Sequence, residues 1–319
     1  MLFPVLRSPG NITSYPPRTA RGSMAEDLAY YFRPSAYWKS AWYNVKPPIL
    51  PPVATKGDRF RISRHTLRWL CIKKRVLFYG IFCRDLSVFW GKITVFGSGS
   101  DPNLIWRSAA FLPPPRPLDK KALVEAHNTY GDAIASFAER HIEAREYCGR
   151  GECWDLASKG LEQFDREKPI PSIARTHGHL IASFKAEARM VPIGRWRGGD
   201  DRVRRGDIVE WKRVQITDKM SRDHGTTILG DPEHTAIVVS DLVPRCPVGD
   251  GKWLEVARFG TLEVAEQSVS TGMLPKKGMY DFSGLEQGEV WIYRPIGLGK
   301  YIGTEFSSIP PKNIQTRSI

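Results

Sequence analysis

Two proline runs punctuate this chain, and the residue pattern changes at the second. PPILPP covers Pro47–Pro52 and PPPRP covers Pro113–Pro117. Between them lie short β-rich runs, Asp58–Ile62, Arg75–Phe82, Ser87–Phe96 and Ile105–Phe111, separated by Gly, Ser, Asp and Asn. β-branched and aromatic runs broken by turn formers read as strands. After Leu118 the period becomes helical. Leu123, Ala126, Ala133, Ile134, Phe137, Ala138 and Ile142 predict a helix over 119–146, with Asn128–Gly131 a point where it could break. A second helix should start near Cys153, with Trp154, Ala157, Leu161 and Phe164 on one face. Strand-like segments follow at Asp207–Trp211, Thr235–Val239, Thr261–Glu266 and Glu289–Tyr293. Helices followed by antiparallel strands make an α+β layout, preceded by a small all-β domain.

The expected division is a disordered tail at 1–24, an aromatic and proline-rich lead-in at 25–55, a basic β-rich domain at 56–112, a proline linker at 113–118, an α+β domain at 119–300 and a C-terminal tail at 301–319. The lead-in holds Tyr30, Tyr31, Phe32, Tyr37, Trp38, Trp42 and Tyr43. Aromatics this dense read as packing against the next domain, the alternative being an exposed binding patch. The proline runs read as stiff linkers or as polyproline ligands for an SH3 module.

Charge separates the two regions. Residues 1–112 hold 17 Lys and Arg against 5 Asp and Glu, whereas residues 113–319 hold 30 against 29, so nearly all of the net +13 lies in the first third. An anionic partner or lipid belongs to that third. The longest apolar run, Val76–Cys83, is broken by Gly80 and is far short of the ~18 residues of a membrane span. The opening MLFPVLRSPG lacks the apolar stretch of a secretion signal. Five scattered cysteines argue against a disulfide scaffold and fit a reducing, cytoplasmic setting.

The candidate chemistry centres on Cys153, in GRGECWDLA (Gly149–Ala157). A glycine loop delivers this cysteine to the first turn of a helix, where unpaired N–H groups and the dipole favour a thiolate. Taken alone, it reads equally as a small buried residue. His234, in GDPEHTAIVVSD, opens an apolar strand that would fix an imidazole. Glu266, in TLEVAEQSV, ends another strand and could hold that imidazole in one tautomer. Each has a plain structural reading, and the order Cys, His, acid is what points to thiol chemistry. His177 and His179 alternate in RTHGHL, but no C-x-x-C pair or carboxylate spacing accompanies them, so no metal is expected. No phosphate-cradling glycine motif occurs, so no cofactor is expected. Cys148 could resolve an oxidised Cys153. RWRGGDDRVRR (Arg195–Arg205) reads as a solvated loop rather than a nucleic-acid surface, because Asp200 and Asp201 interrupt it.

These segments resemble the papain-like superfamily, most closely the CHAP and NlpC-type amidases and peptidases. In those a Gly-Gln-Cys segment opens the central helix, followed by a Gly-Asp-Ile strand, a His-x-Ala-Ile-Val strand and a strand ending in Glu-x-Asn. The matching residues here are Gly151-Glu152-Cys153, Gly206-Asp207-Ile208-Val209, His234-Thr235-Ala236-Ile237-Val238 and Glu266-Gln267-Ser268. Glu152 stands where a neutral Gln is usual, and a carboxylate aimed at the sulfur would disfavour a thiolate. Ser268 stands where Asn is common. Glu152, Trp154, His179, Gln267 and Ser268 are the expected groove residues.

A resemblance over more of the chain is carried by SAYWKSAWYNVKPPILPPVATKGDRFRI (Ser35–Ile62), LVEAHNTYGDAIASFAERHI (Leu123–Ile142), GECWDLA, ILGDPEHTAIV (Ile228–Val238) and GEVWIYRP (Gly288–Pro295). They are similar to the C-terminal cysteine-proteinase-fold region of fungal myosin tail region-interacting proteins. That resemblance implies a cytoplasmic interaction or scaffold protein at cortical actin patches, with partners in the actin machinery. The alternative is an active thiol hydrolase of amide or isopeptide bonds, with Cys153 as nucleophile, His234 as base and Glu266 orienting it.

Overall fold

A computed structural model describes residues 12–55, 62–71, 74–99, 101–188, 190–218, 225–302, 306–312 and 315–318, without the side chains at 55, 62–71 and 102. The expected strand Asp58–Ile62 lies outside the described residues except for Ile62. The chain divides into two compact units. One holds Pro17–Arg116, Ile173–Arg175 and Leu298–Ile319; the other holds Met1–Pro16, Pro117–Ser172 and Thr176–Gly297. The chain is α+β, with helices and two antiparallel sheets.

The first unit begins with α1 (Met24–Phe32), whose N-cap Ser23 accepts a hydrogen bond from the Glu26 amide. A single turn, α2 (Pro52–Thr55), precedes β1 (Ile62–Cys71), β2 (Lys74–Phe82), β3 (Val88–Phe96) and β4 (Ile105–Leu112). These strands pair in sequence order. α1, with Ala25, Leu28, Ala29 and Phe32 buried, packs on one sheet face against Leu77, Tyr79, Phe89, Ile93, Val95 and Phe111. Trp42 and Tyr43 complete this core, while Tyr37 is exposed. The aromatic lead-in is thus the wall of the β-sheet core, as its bulk dictates.

The second unit opens with α3 (Lys120–Ala144) and α4 (Cys153–Glu162). Then come β5 (His179–Ala186), β6 (Ile193–Trp196), β7 (Ile208–Thr217), β8 (Thr226–Val238), β9 (Trp253–Glu255), β10 (Thr261–Ser268), β11 (Met273–Asp281) and β12 (Leu285–Arg294). They form one sheet in the order β11-β10-β8-β7-β12-β5-β6-β9. α3 is unbroken, contrary to the expected interruption. Gly131 is a notch in it: a Cβ there would lie 2.5 Å from the Arg205 carbonyl oxygen, and one on Gly206 would strike the Gly131 backbone. The glycine is used for close approach rather than as a breaker.

The segment expected to be a disordered tail is packed from Thr13 onward. Tyr15 is 1% exposed, sits edge-on to Trp291 and shares a hydrogen bond with Thr176, and the Trp291 indole donates to Thr13 Oγ1. A large aromatic with a hydroxyl partner is enough to order a polar stretch. The segment set apart as a C-terminal tail is built into the first unit. α5 (Leu298–Ile302) and β13 (Arg317–Ser318), which pairs with β4, both belong there.

The expected solvated loop at 195–205 is also revised. Asp200 is fully buried and binds Arg204 and the buried Arg294. Asp207 takes the Arg294 fork on both oxygens at 2.8 Å. Burial of a guanidinium is tolerated because two carboxylates satisfy it.

Candidate active site

The loop ahead of α4 is held from several sides. Gly149 and Gly151 take positive φ, and a Cβ on Gly151 would meet Val269 at 2.9 Å. The Val269 amide donates to the Gly151 carbonyl. Arg150 and Asp155 pair, with the Arg150 amide also donating to Asp155 Oδ2 at 2.8 Å. Cys153 is then the first residue of α4, where its amide has no partner four residues back in the helix. Its side chain is half-buried.

Gln267, expected in the groove, is instead a clamp. It is fully buried, accepts from the Cys148 amide, and donates to the Cys148 and Glu152 carbonyls, each at 2.9 Å. A register shift between Glu266 and Ser268 in the β10–β11 ladder places this amide. Glu266 turns the other way, to His234.

His234 lies inside β8 rather than at a strand start. Lys212 pairs with Glu233 and Val214 with Leu229, so 230–232 loop out and the ladder resumes one residue before the histidine. Its Nε2 is 2.8 Å from Glu266 Oε2. Cys153 lies near enough to the same ring to raise its pKa, and with Nε2 facing Glu266, Nδ1 is the nitrogen left to meet a sulfur. Burial works against charge on His234, but the bonds and charges of Cys153 and Glu266 outweigh it and raise its pKa to about 9. Burial likewise opposes charge on Glu266, yet His234, the Tyr280 hydroxyl and Lys276 hold its carboxyl below the usual range. Tyr280 donates to Glu266 Oε1 at 2.6 Å, and burial drives its own pKa well up. Tyr280 has no local signal in the sequence; only the β10–β11 pairing brings it here.

The remaining candidates scatter. Glu152 is exposed and makes no cap bond, so its carboxylate is not turned into the protein. Trp154 is half-buried, and Ser268 bonds Ser270. His179 is not in a groove with Cys153. It sits on β5, with three strands between it and β10, buried opposite Arg294, and burial together with the Arg294 charge lowers its pKa to about 4. Cys148 is buried against the Asp155 carbonyl, and burial raises its thiol to about 11. His177 has both ring nitrogens engaged, by Ser172 and Glu210 at 2.7 Å, and Thr235 also donates to Glu210. Successive β8 residues alternate faces, so His234 turns to Glu266 while Thr235 serves this second buried network.

Known proteins bear on this arrangement. The AIM3/BBC1 cysteine proteinase-fold domain matches residues 107–306. The chain is 29% identical over 266 residues to altered inheritance of mitochondria protein 3 of Debaryomyces hansenii, a match covering 82% of this chain and 26% of that protein. The chain therefore spans about a quarter of that curated relative. No solved structure matches. The matched domain covers most of the length of the chain, and the chain belongs to the AIM3/BBC1 cysteine proteinase-fold family.

Proposed function

We propose that the second unit is a thiol hydrolase acting on an amide or isopeptide bond. The observation that carries this reading is one imidazole, His234, bonded to Glu266 and close enough to the Cys153 thiol for that group to raise its pKa. Cys153 sulfur attacks the carbonyl carbon and forms a thioester, while the carbon–nitrogen bond breaks. His234, with its pKa raised to about 9, supplies the proton to the departing amine. A water then attacks the thioester, His234 takes its proton, and the sulfur leaves. Backbone N–H groups at the start of α4 would hold the oxyanion. Glu266, fixed by Tyr280, keeps the ring oriented.

Iodoacetamide labelling of the full chain at neutral pH tests this. Cys153 should react at least tenfold faster than Cys148 or Cys246, and His234→Ala should slow it to their level. Equal rates at the three thiols would refute the hydrolase reading.

A second reading is favoured by the departure at Ser268, which bonds Ser270: an interaction module with an idle thiol. In that case the resemblance to actin-patch proteins supplies the expected setting, a cytoplasmic scaffold for cortical actin proteins.

A further inference from the structure

The β1–β4 sheet has two faces. Leu77, Tyr79, Phe89, Ile93, Val95 and Phe111 face α1. The registers Lys74↔Phe96 and Thr94↔Trp106 put Lys74, Lys92, Phe96 and Trp106 on the opposite face. Part of that face is covered by the segment that ends the unit. Phe82 packs on Tyr301 and Phe306, Trp90 donates to the Ser307 carbonyl, and the Ser307 backbone lies so close to Gly80 that no Cβ would fit. The other part, toward the β3–β4 hairpin, keeps large apolar groups in water. Trp106 is 66% exposed and Leu104 45%.

This patch is assembled rather than incidental. Trp106 stands edge-on to Phe96 with centroids 4.9 Å apart, and the Lys74 ammonium lies 5.2 Å from the Phe96 centroid. Lys92 is exposed two residues along β3 from Thr94, the partner of Trp106. The hairpin carrying them is braced, because Asn44 and Tyr43 donate to the Gly99 carbonyl. The only acid between Asp85 and Asp119 is Asp101, whose carboxylate accepts from the Asn103 amide within the hairpin.

We propose that this hairpin and sheet face dock on an anionic phospholipid bilayer, Trp106 and Leu104 entering the headgroup boundary and Lys74 and Lys92 meeting lipid phosphates and carboxylates. Charge complementarity selects the partner: the first 112 residues carry a net +12. An indole beside an aliphatic side chain at a hairpin end, with cations set behind it, suits the boundary between water and hydrocarbon. A single-stranded nucleic acid would instead want flat, open ring faces for bases to stack on, and here Phe96 has its face under Lys74 and its neighbour Trp106 at 65° to it.

The test is co-sedimentation of the full chain with vesicles of phosphatidylcholine alone or with about a third phosphatidylserine. Binding is expected only to the anionic vesicles and should fall as salt rises from about 50 to 300 mM. The pair Lys74→Gln and Lys92→Gln should weaken it about 25-fold, roughly fivefold per cation. Trp106→Ser should weaken it about tenfold. Tyr37→Ser, at another exposed aromatic of the same unit, should leave it unchanged. Circular dichroism melts confirm that each variant is folded. Equal binding by all variants, equal loss in Tyr37→Ser, no binding to anionic vesicles, or Trp106-dependent binding to oligo(dT) in place of vesicles would each overturn the proposal.

Discussion

His234 is where electrostatics can be read most directly. Its folded pKa, about 9, lies above the unfolded value of ~6.5. A raised basic group stabilises the fold fully below the unfolded value, and that stabilisation is lost as pH rises through the folded one. Cys153 and Glu266 together should therefore contribute on the order of 3 kcal/mol at pH 6 and little at pH 10, Glu266 supplying part of it. Urea unfolding of the native chain and Glu266→Gln at pH 6, 8 and 10 measures this. The gap between them should be widest at pH 6 and close through pH 9; a constant gap would contradict the assignment. Cys153, His234 and Glu266 were legible because each stands at local punctuation, a glycine loop before a helix or a turn beside a strand. Gln267 was visible only as a neighbour of Glu266, so its role as a clamp was not. Asp207 and Arg294 were not legible as a pair, since 87 residues separate them and nothing local marks either as buried. His179 was misplaced for a related reason: alternation gave its face but not its strand's rank in the sheet.

Helix α3 makes the same point for an element. Its apolar period forecast the helix and nearly its limits, while the Asn-Thr-Tyr-Gly stretch suggested a break that is absent. Propensity treats Gly131 as a weak spot worth about 1 kcal/mol to repair with alanine. Packing reverses that sign, because the added methyl would meet the Arg205 carbonyl at 2.5 Å and the His127 ring. Gly131→Ala should lower the melting temperature of the chain, and a rise would show that the β7 approach loop yields easily. β2, β3 and β4 of the first unit were readable from turn residues, but β1 and β13 were not, and α1 was hidden among aromatics whose spacing served the core and helix at once. Strands β5, β6, β9 and β11 went unread because their alternation is weak and their pairing is long-range.

For the whole molecule, the division into units does not follow the order of the sequence. Residues 298–319 complete the sheet that begins at residue 62, and Tyr15 seals a face of the sheet formed by residues 179–294. Ending the chain at Gly297 should strip hydrogen-exchange protection from β2–β4, where Trp90 and Phe82 lose their cover, and leave β7, β8 and β12 protected. Undiminished protection in β2–β4 would show that the C-terminal segment is dispensable. Among the described residues no helix is long and apolar enough to cross a membrane. On a ribosome this interleaving sets a schedule. The thiol-bearing unit has all its parts once Gly297 has emerged, whereas Phe82 and Trp90 of the basic sheet, translated well before it, stay bare until Tyr301, Phe306 and Ser307 emerge to cover them.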